Sequence, residues 1–473
     1  MHDEPNTRAT NVMACFHEES RPVRRAPVFI IVISALLVSS IDSTIVATAL
    51  HALQRGLNTT VDRAGWTITA YSFGIALMLP ISGRLSERYG NRRVFLYSVA
   101  AFTAASLLCG LCDNIYALIA LRAVQAAGGA GFTPAATGII VNHFGDARDR
   151  ALGLFGSAFA VGSMTGPIFG GFFVEYWDWR GVFFVNVPIG LAIVGAGLYY
   201  IPRDQPRAKK SRSMDAIGMI QLGTGLLAGM LAANSLSGQD WQLWPPSFAV
   251  LMIVSIVSLG LFLRRIRRQP EPFIMPRFIY GSGFAAINVL NVLYGGVSSG
   301  AVALVPLYAT NRYGIGTLGS ATLLIAQGGA SIVFSIAASM VLRVTGYRLP
   351  LYVGGGIIAI GAILLALPAT GGIPPNVWLA GGTFLIGVGS GIVNPAGRNA
   401  GLMLAPDNSS TLAALRTMSR QIGTIICVSI ATAIIAGSAA PGDVQAWVYV
   451  AAAALLILAM PLVARVPEHR GAW

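Results

Sequence analysis

The sequence is short of charge. Of its 473 residues only 11% are Asp, Glu, Lys or Arg, where a soluble globular chain carries about 25%. That fraction cannot coat the roughly three soluble domains such a length would otherwise make, which excludes a soluble enzyme. Acid is scarcest, with 19 Asp and Glu against 32 Lys and Arg. Cysteine is sparse too: Cys15, Cys109, Cys112 and Cys427 make no extracellular disulfide framework. Cys109 and Cys112 have the C-x-x-C spacing but fall in an apolar run, and they read as small helix residues in preference to a redox pair. The first 26 residues mix acids and bases without an apolar core, so no cleavable signal is expected there.

What the chain has instead is apolar length. Hydrophobic residues make up 55% of it, and its mean hydropathy is +0.67. A helix crossing about 30 Å of hydrocarbon needs roughly 20 apolar residues. Runs of that kind lie at about 27–51, 66–83, 93–112, 115–141, 150–173 and 182–201. Two follow at about 215–235 and 247–266, then six at about 283–310, 319–342, 349–369, 376–400, 411–437 and 444–465. The expectation is an all-α polytopic membrane protein with fourteen transmembrane helices joined by short links.

The net charge of +13 invites a nucleic-acid partner, but the bases are scattered between apolar runs, so none is expected. Basic loops stay in the cytoplasm. One set of loops carries Arg84, Arg88, Arg92 and Arg93, then Arg148 and Arg150, then Arg203, Arg207, Lys209, Lys210 and Arg212. It continues with Arg264, Arg265, Arg267, Arg268, Arg277, Arg343 and Arg348, while the opposite set holds Arg55, Arg63, Arg180 and Arg312. Both termini are therefore expected in the cytoplasm, with the surplus charge facing membrane lipids.

The two halves repeat. Asn114-Ile115-Tyr116 leads to Gly129, Gly131 and Thr133-Pro134-Ala135; Asn376-Val377-Trp378 leads to Gly389, Gly391 and Asn394-Pro395-Ala396. Asp146 matches Asp407, Gly162 matches Gly423, and Arg88 to Arg92 has a worn counterpart in Val344 to Arg348, at offsets of roughly 256–262 residues. The expected organisation is a tail at 1–26, a six-helix bundle at 27–202, two inserted helices at 203–270, a second, pseudo-symmetric six-helix bundle at 271–465 and a tail at 466–473. Repeats of this kind hold substrate near the midplane between the halves, which rock about it.

One acid lies deep in an apolar run: Asp42, in Ser39-Ser40-Ile41-Asp42-Ser43-Thr44. A charge there costs about 2.5–3.5 kcal/mol even on a lenient insertion scale, and an acid that exchanges a proton when water reaches it is what a proton carrier needs. The other reading is an acid bonded to Ser or Thr as helix glue. Arg122, in Leu121-Arg122-Ala123-Val124-Gln125, is the one base well inside the first six runs. At 1.5 Å per residue the two side chains lie roughly 15 and 12 Å from the same end of their helices, so they can meet, directly or through water. The stretch Gly83-Arg84-Leu85-Ser86-Glu87-Arg88-Tyr89-Gly90-Asn91-Arg92-Arg93 reads as a loop in which Gly90 caps a helix and Glu87 pairs with a base or a helix N-terminus. Gly162, Gly166, Pro167, Gly170 and Gly171 clear one helix face and are expected to bend it. Tyr71, Asn288, Asn291, Tyr294 and Gln327 are the polar candidates for a substrate cavity. Arg398, Arg416 and Arg420 fit either attraction of anionic substrates or simple topology marking.

Together these residues resemble the major facilitator superfamily, in its fourteen-helix drug:proton antiporter branch. The 83–93 stretch is similar to the family's signature between helices two and three. Arg122 and Gln125 resemble the fourth-helix motif, and Gly162 to Gly171 the antiporter motif of the fifth. Ile41 to Val46, Trp66 with Tyr71, and Trp179 to Phe184 leading into Asn186-Val187-Pro188-Ile189-Gly190 are typical of the branch. Glu87 stands where the family usually has Asp, Ala126 where Gly is common and Ala47 where Asn is common.

The resemblance implies proton coupling at Asp42 supported by Arg122 and Gln125, and gating by Gly83, Glu87, Arg88, Gly90, Arg92 and Arg93. It also implies export of amphipathic small molecules from a plasma-membrane monomer driven by the proton gradient, without cofactor or metal. With no acid buried in the last six runs, one proton per cycle is expected. Alternatives are a proton-coupled solute or lipid transporter of narrow specificity, and a non-transporting membrane receptor.

Overall fold

The structure is a computed structural model that describes residues 25–59, 61–204, 215–235, 246–269, 272, 274–315, 317–436, 438 and 440–468. Nearly all of the expected tail at 1–26, with Cys15, and the bases Arg207, Lys209, Lys210 and Arg212 lie outside the described residues.

Every element among the described residues is helical. First come α1 (Arg25–Thr48), α2 (Val61–Tyr89), α3 (Asn91–Gly110), α4 (Ile115–Gly129), α5 (Phe132–His143), α6 (Arg148–Tyr176) and α7 (Asn186–Tyr200). Then come α8 (Ala216–Ser235), α9 (Pro246–Arg268) and α10 (Phe284–Leu290), which runs into a π-helical turn, Asn291–Val297, and the short helices Ser298–Ala303 and Val305–Tyr313. The chain ends with α11 (Thr317–Thr345), α12 (Arg348–Ala366), α13 (Pro375–Leu404), α14 (Ser409–Ala436) and α15 (Pro441–Val463).

Among the described residues, eleven helical stretches are long and apolar enough to cross a membrane, with α4 and α5 forming one of them, Ile115–His143. The chain is a multi-pass membrane protein. The expected runs at about 150–173, 215–235 and 411–437 are the helices α6, α8 and α14, outside those eleven.

The 83–93 stretch, expected as a loop, is almost all helix. Only Gly90 separates α2 from α3, at φ 99°, a backbone conformation that glycine adopts without steric cost. Gly346, φ 70°, makes the same kind of turn between α11 and α12.

Small residues set the helix spacing. A Cβ built at Gly162 of α6 would lie 2.6 Å from the Ser40 Cβ of α1, and one at Gly389 of α13 would lie 2.5 Å from the Gly354 carbonyl of α12. Backbones in contact gain dispersion where lipid offers no hydrophobic drive. The first helices meet the last ones through α2 against α14, where a Cβ at Gly83 would lie 2.9 Å from Ala414 Cβ, and through α6 against α11, where Gly153 abuts Ser339. Ser255 Oγ donates to the Gly225 carbonyl at 2.7 Å and Ser258 Oγ to the Gln221 carbonyl at 2.8 Å, which ties α9 to α8. An apolar core joins Val32, Phe132 and Phe155 to Leu226 and Phe262 of this pair and to Leu415 of α14.

Candidate functional site

The expected acid and base meet directly. Arg122 of α4 donates from Nη1 to Asp42 Oδ2 of α1 at 2.7 Å, with the side chains 1% and 0% exposed. The other carboxylate oxygen accepts twice, from Gln125 Nε2 at 3.0 Å and from Asn186 Nδ2 at 2.9 Å. Both amides also donate to Ser106 Oγ, at 3.1 and 3.0 Å, and Ser106 passes its own hydrogen to the Phe183 carbonyl at 3.0 Å. Arg122 Nη1 closes the circuit on Gln125 Oε1 at 2.7 Å.

Four helices supply this network, each for a local reason. Arg122 and Gln125 are three residues apart and so share a face of α4. That helix is started by Asn114, whose side chain accepts from the amides of Tyr116 and Ala117 at 2.8 and 3.4 Å. Asn186 is the first residue of α7, and Ser106 faces inward from α3. The guanidinium of Arg122 lies over the Tyr71 ring, 4.0 Å from its centroid, a cation–π contact that shields its face. Trp179, Phe183, Leu118 and Ile45 seal the end nearer Arg180. Every partner of Asp42 here is a donor, a pattern that an acceptor on both oxygens satisfies and a protonated acid does not.

The second group of expected residues, at the Gly90 end, bridges the two sides of the molecule. Glu87 accepts from the backbone N–H of Thr411 at 3.2 Å and from Asn408 Nδ2 at 3.1 Å, while Arg84 lies 3.5 Å away. Thr411 is in the first turn of α14, so the carboxylate faces the positive end of that helix. Asn91 accepts from Ser410 Oγ at 2.8 Å. Nearby, Arg343 of α11 donates to the Asp146 carbonyl and lies 3.9 Å from Asp149. The remaining bases turn elsewhere: Arg88 lies over the Tyr89 ring, and Arg92 donates to the Leu198 carbonyl. The N–H groups of Arg92 and Arg93 are held by Asp204, at 3.0 and 3.2 Å, so Asp204 caps α3 beside Gly90.

Gly162 and Gly166 face Ser40 and Thr44 of α1. Gly170 is buried, and the surroundings of Pro167 and Gly171 lie outside the described residues. The five substrate candidates do not gather. Tyr71 belongs to the Asp42 network. Asn288 donates to the Phe278 carbonyl at 2.7 Å, and Gln327 packs its backbone on Gly387. Asn291 and Tyr294 line one cleft together with Arg416 and Arg420. Asn186, Ser106, Asp204 and Asn408 were given no role from sequence. Asn186 carried a signal, as the one side-chain amide in the run at 182–201; a serine in an apolar helix carried none.

A bundle of membrane-crossing helices encloses the sealed acid–base pair, and the family that matches this chain is one of small-molecule transporters, not of enzymes. The family model of the Major Facilitator Superfamily matches residues 32–428, and the chain belongs to that superfamily. It is 28% identical over 397 residues to "Multidrug resistance protein B homolog" of Mycobacterium tuberculosis (strain ATCC 25618 / H37Rv), covering 82% of this chain and 72% of that one. It is 29% identical over 357 residues to "Tetracenomycin C resistance and export protein" of Streptomyces glaucescens, covering 75% of this chain and 64% of the relative. Among solved structures, the proton:xylose symporter XylE superposes with a TM-score of 0.65 at 14% identity, over 94% of this chain and 96% of that one. That likeness concerns the fold.

Proposed function

We propose that the chain is a proton-coupled antiporter that exports amphipathic small molecules by alternating access. The observation that carries this reading is the Asp42–Arg122 pair, sealed among Gln125, Asn186 and Ser106 at 0–1% exposure. An acid held by three donors loses its fit when a proton occupies one oxygen: Arg122 or an amide then faces an O–H instead of a lone pair. Protonation at Asp42 thus loosens α1 from α4 and α7, and deprotonation tightens them. The drug-resistance and export names of the relatives support outward transport of such compounds.

On this reading fourteen helices cross the plasma membrane of a monomer, with both termini cytoplasmic. Two six-helix bundles flank the α8–α9 pair, and the Gly90 end is the cytoplasmic gate, shut in this conformation by Glu87, Asn91, Arg343 and Arg398. One charge moved through 100 mV contributes about 2.3 kcal/mol to each cycle.

The test is substrate-induced proton release in inverted membrane vesicles carrying a pH dye. Wild-type protein releases protons on addition of a transported dye, and Asp42→Asn reduces the signal about a hundredfold or to background. Unchanged proton release in Asp42→Asn overturns the assignment.

A further inference from the structure

The second half of the molecule contains a polar centre that the proton pathway does not use. Arg416 and Arg420 of α14 and Arg398 of α13 are each partly buried, and none has a carboxylate within ion-pair distance among the described residues. Beyond residue 271 the chain contains only three acids, Asp407, Asp443 and Glu468; Asp407 lies just before α14, Asp443 in the first turn of α15 and Glu468 after that helix. The guanidiniums crowd together instead. Arg416 Nη2 and Arg420 Nη1 share one acceptor, Asn394 Oδ1, at 3.1 and 3.2 Å. Arg416 Nη2 also reaches the Asn394 carbonyl at 3.2 Å, and Arg420 Nη2 reaches Ser299 Oγ at 3.4 Å. Arg398 donates across the molecule to the Leu152 carbonyl at 2.7 Å, with its charge over the Phe155 ring.

Like charges in a low dielectric repel, and a buried charge is retained at a cost unless something pairs it. Arg416 and Arg420 line a narrow cleft that opens toward solvent. Leu290, Leu351 and Val393 add apolar surface to its lining. Asn291, also on the cleft, keeps its Nδ2 without a hydrogen-bond partner, as Arg416 keeps its Nε. The unpartnered groups on the cleft include two donors, Arg416 Nε and Asn291 Nδ2, and the Tyr294 hydroxyl, beside two positive charges and apolar side chains. That combination fits an amphipath whose polar end is an acceptor-rich anion.

We propose that Arg416, Arg420 and Asn291 form the subsite for the acidic group of a transported organic anion, a carboxylate or sulfonate on an apolar body. This deepens the export reading and rests on it. The π-helical turn presents the subsite: Gly295 leaves room for Arg420, since a Cβ there would lie 2.8 Å from Arg420 Nε.

The test compares 2-naphthoate with its neutral isostere 2-naphthamide on the purified full chain in neutral-detergent micelles. Binding, followed by calorimetry and thermal unfolding, is expected to favour 2-naphthoate at least about tenfold, and Arg416→Gln or Arg420→Gln abolishes the preference. Arg420→Lys keeps part of it, and Gly295→Ala, which displaces Arg420 without changing charge, lowers it. Equal binding of the two probes, or a preference that survives both Gln variants, overturns the subsite. Added phosphatidylglycerol separates the sources of the anion: lipid that displaces 2-naphthoate, with no uptake of 2-naphthoate into inverted vesicles under a proton gradient, identifies a lipid headgroup site and overturns the substrate assignment. Uptake also separates the two readings. Preferential binding of 2-naphthoate with neither probe taken up, in phosphatidylglycerol-free vesicles, sinks the exporter and spares an anion site; uptake of both without preference does the reverse.

Discussion

Two polar centres lie inside this molecule, and they are built on opposite rules. In the first half Arg122 meets Asp42 at 2.7 Å, and two amides fill the remaining oxygen. In the second half Arg416 and Arg420 share a neutral Asn394 and meet no acid among the described residues. The first centre pairs its charge with an acid and is covered by Trp179 and Phe183, although Arg122 Nε makes no hydrogen bond; the second lines a cleft and pairs its charges with no acid among the described residues. A closed, neutral network suits a group that must exchange one small ion with little rearrangement. An open, positive one suits a ligand that brings its own charge.

The contrast can be broken most sharply by removing one arginine from each centre. Arg122→Gln leaves Asp42 buried without its counter-charge, a change that typically costs about 3–5 kcal/mol. Arg420→Gln strands no carboxylate and is expected to cost less than about 1 kcal/mol or to stabilise. Side-by-side thermal unfolding checks this, and equal losses would mean that Arg420 has a counter-charge in the folded protein. Asn186→Ala comes next, because it removes one donor from a charged acceptor, worth about 1.5–3 kcal/mol. Proton-coupled dye efflux is expected to fall about tenfold while binding of 2-naphthoate at the other centre stays within about twofold, and loss of both would make Asn186 a general packing residue. The smallest effect belongs to the Gly90 end. Glu87→Gln keeps a hydrogen-bond acceptor but gives up the attraction of a full charge to the start of α14, about 0.3–1 kcal/mol. Alkylation of Ser410→Cys, at a position 1% exposed, is expected to speed up about two- to fivefold in that background.

Legibility in the sequence followed chemical rarity. Asp42 and Arg122 stood out because charge inside an apolar run is costly and seldom kept without purpose, and Gln125 came with them through its three-residue spacing. Serine and asparagine are ordinary in membrane helices, so Ser106 and Asn186 became visible only when four helices brought them to one carboxylate. Arg416 and Arg420 were visible but ambiguous, since a base near a helix end also marks topology; their meaning lies in the partners they lack, and a linear pattern does not display those. The 83–93 stretch was read as a loop because its charges resemble one, whereas the backbone needs only Gly90 to turn.

The contacts at Gly83 and Gly153 carry one more consequence. At both places the two sides of the molecule touch through hydrogen atoms where other residues have a carbon, at Ala414 and at Ser339. Little apolar area is buried at such points, so they set how near the halves come without doing much to hold them. A single methyl group added there is a doorstop: it props the Gly90 end ajar while leaving every charge in both centres in place. If the chain works by alternating access as proposed, the two glycines are handles for capturing its opposite conformation in an otherwise native transporter.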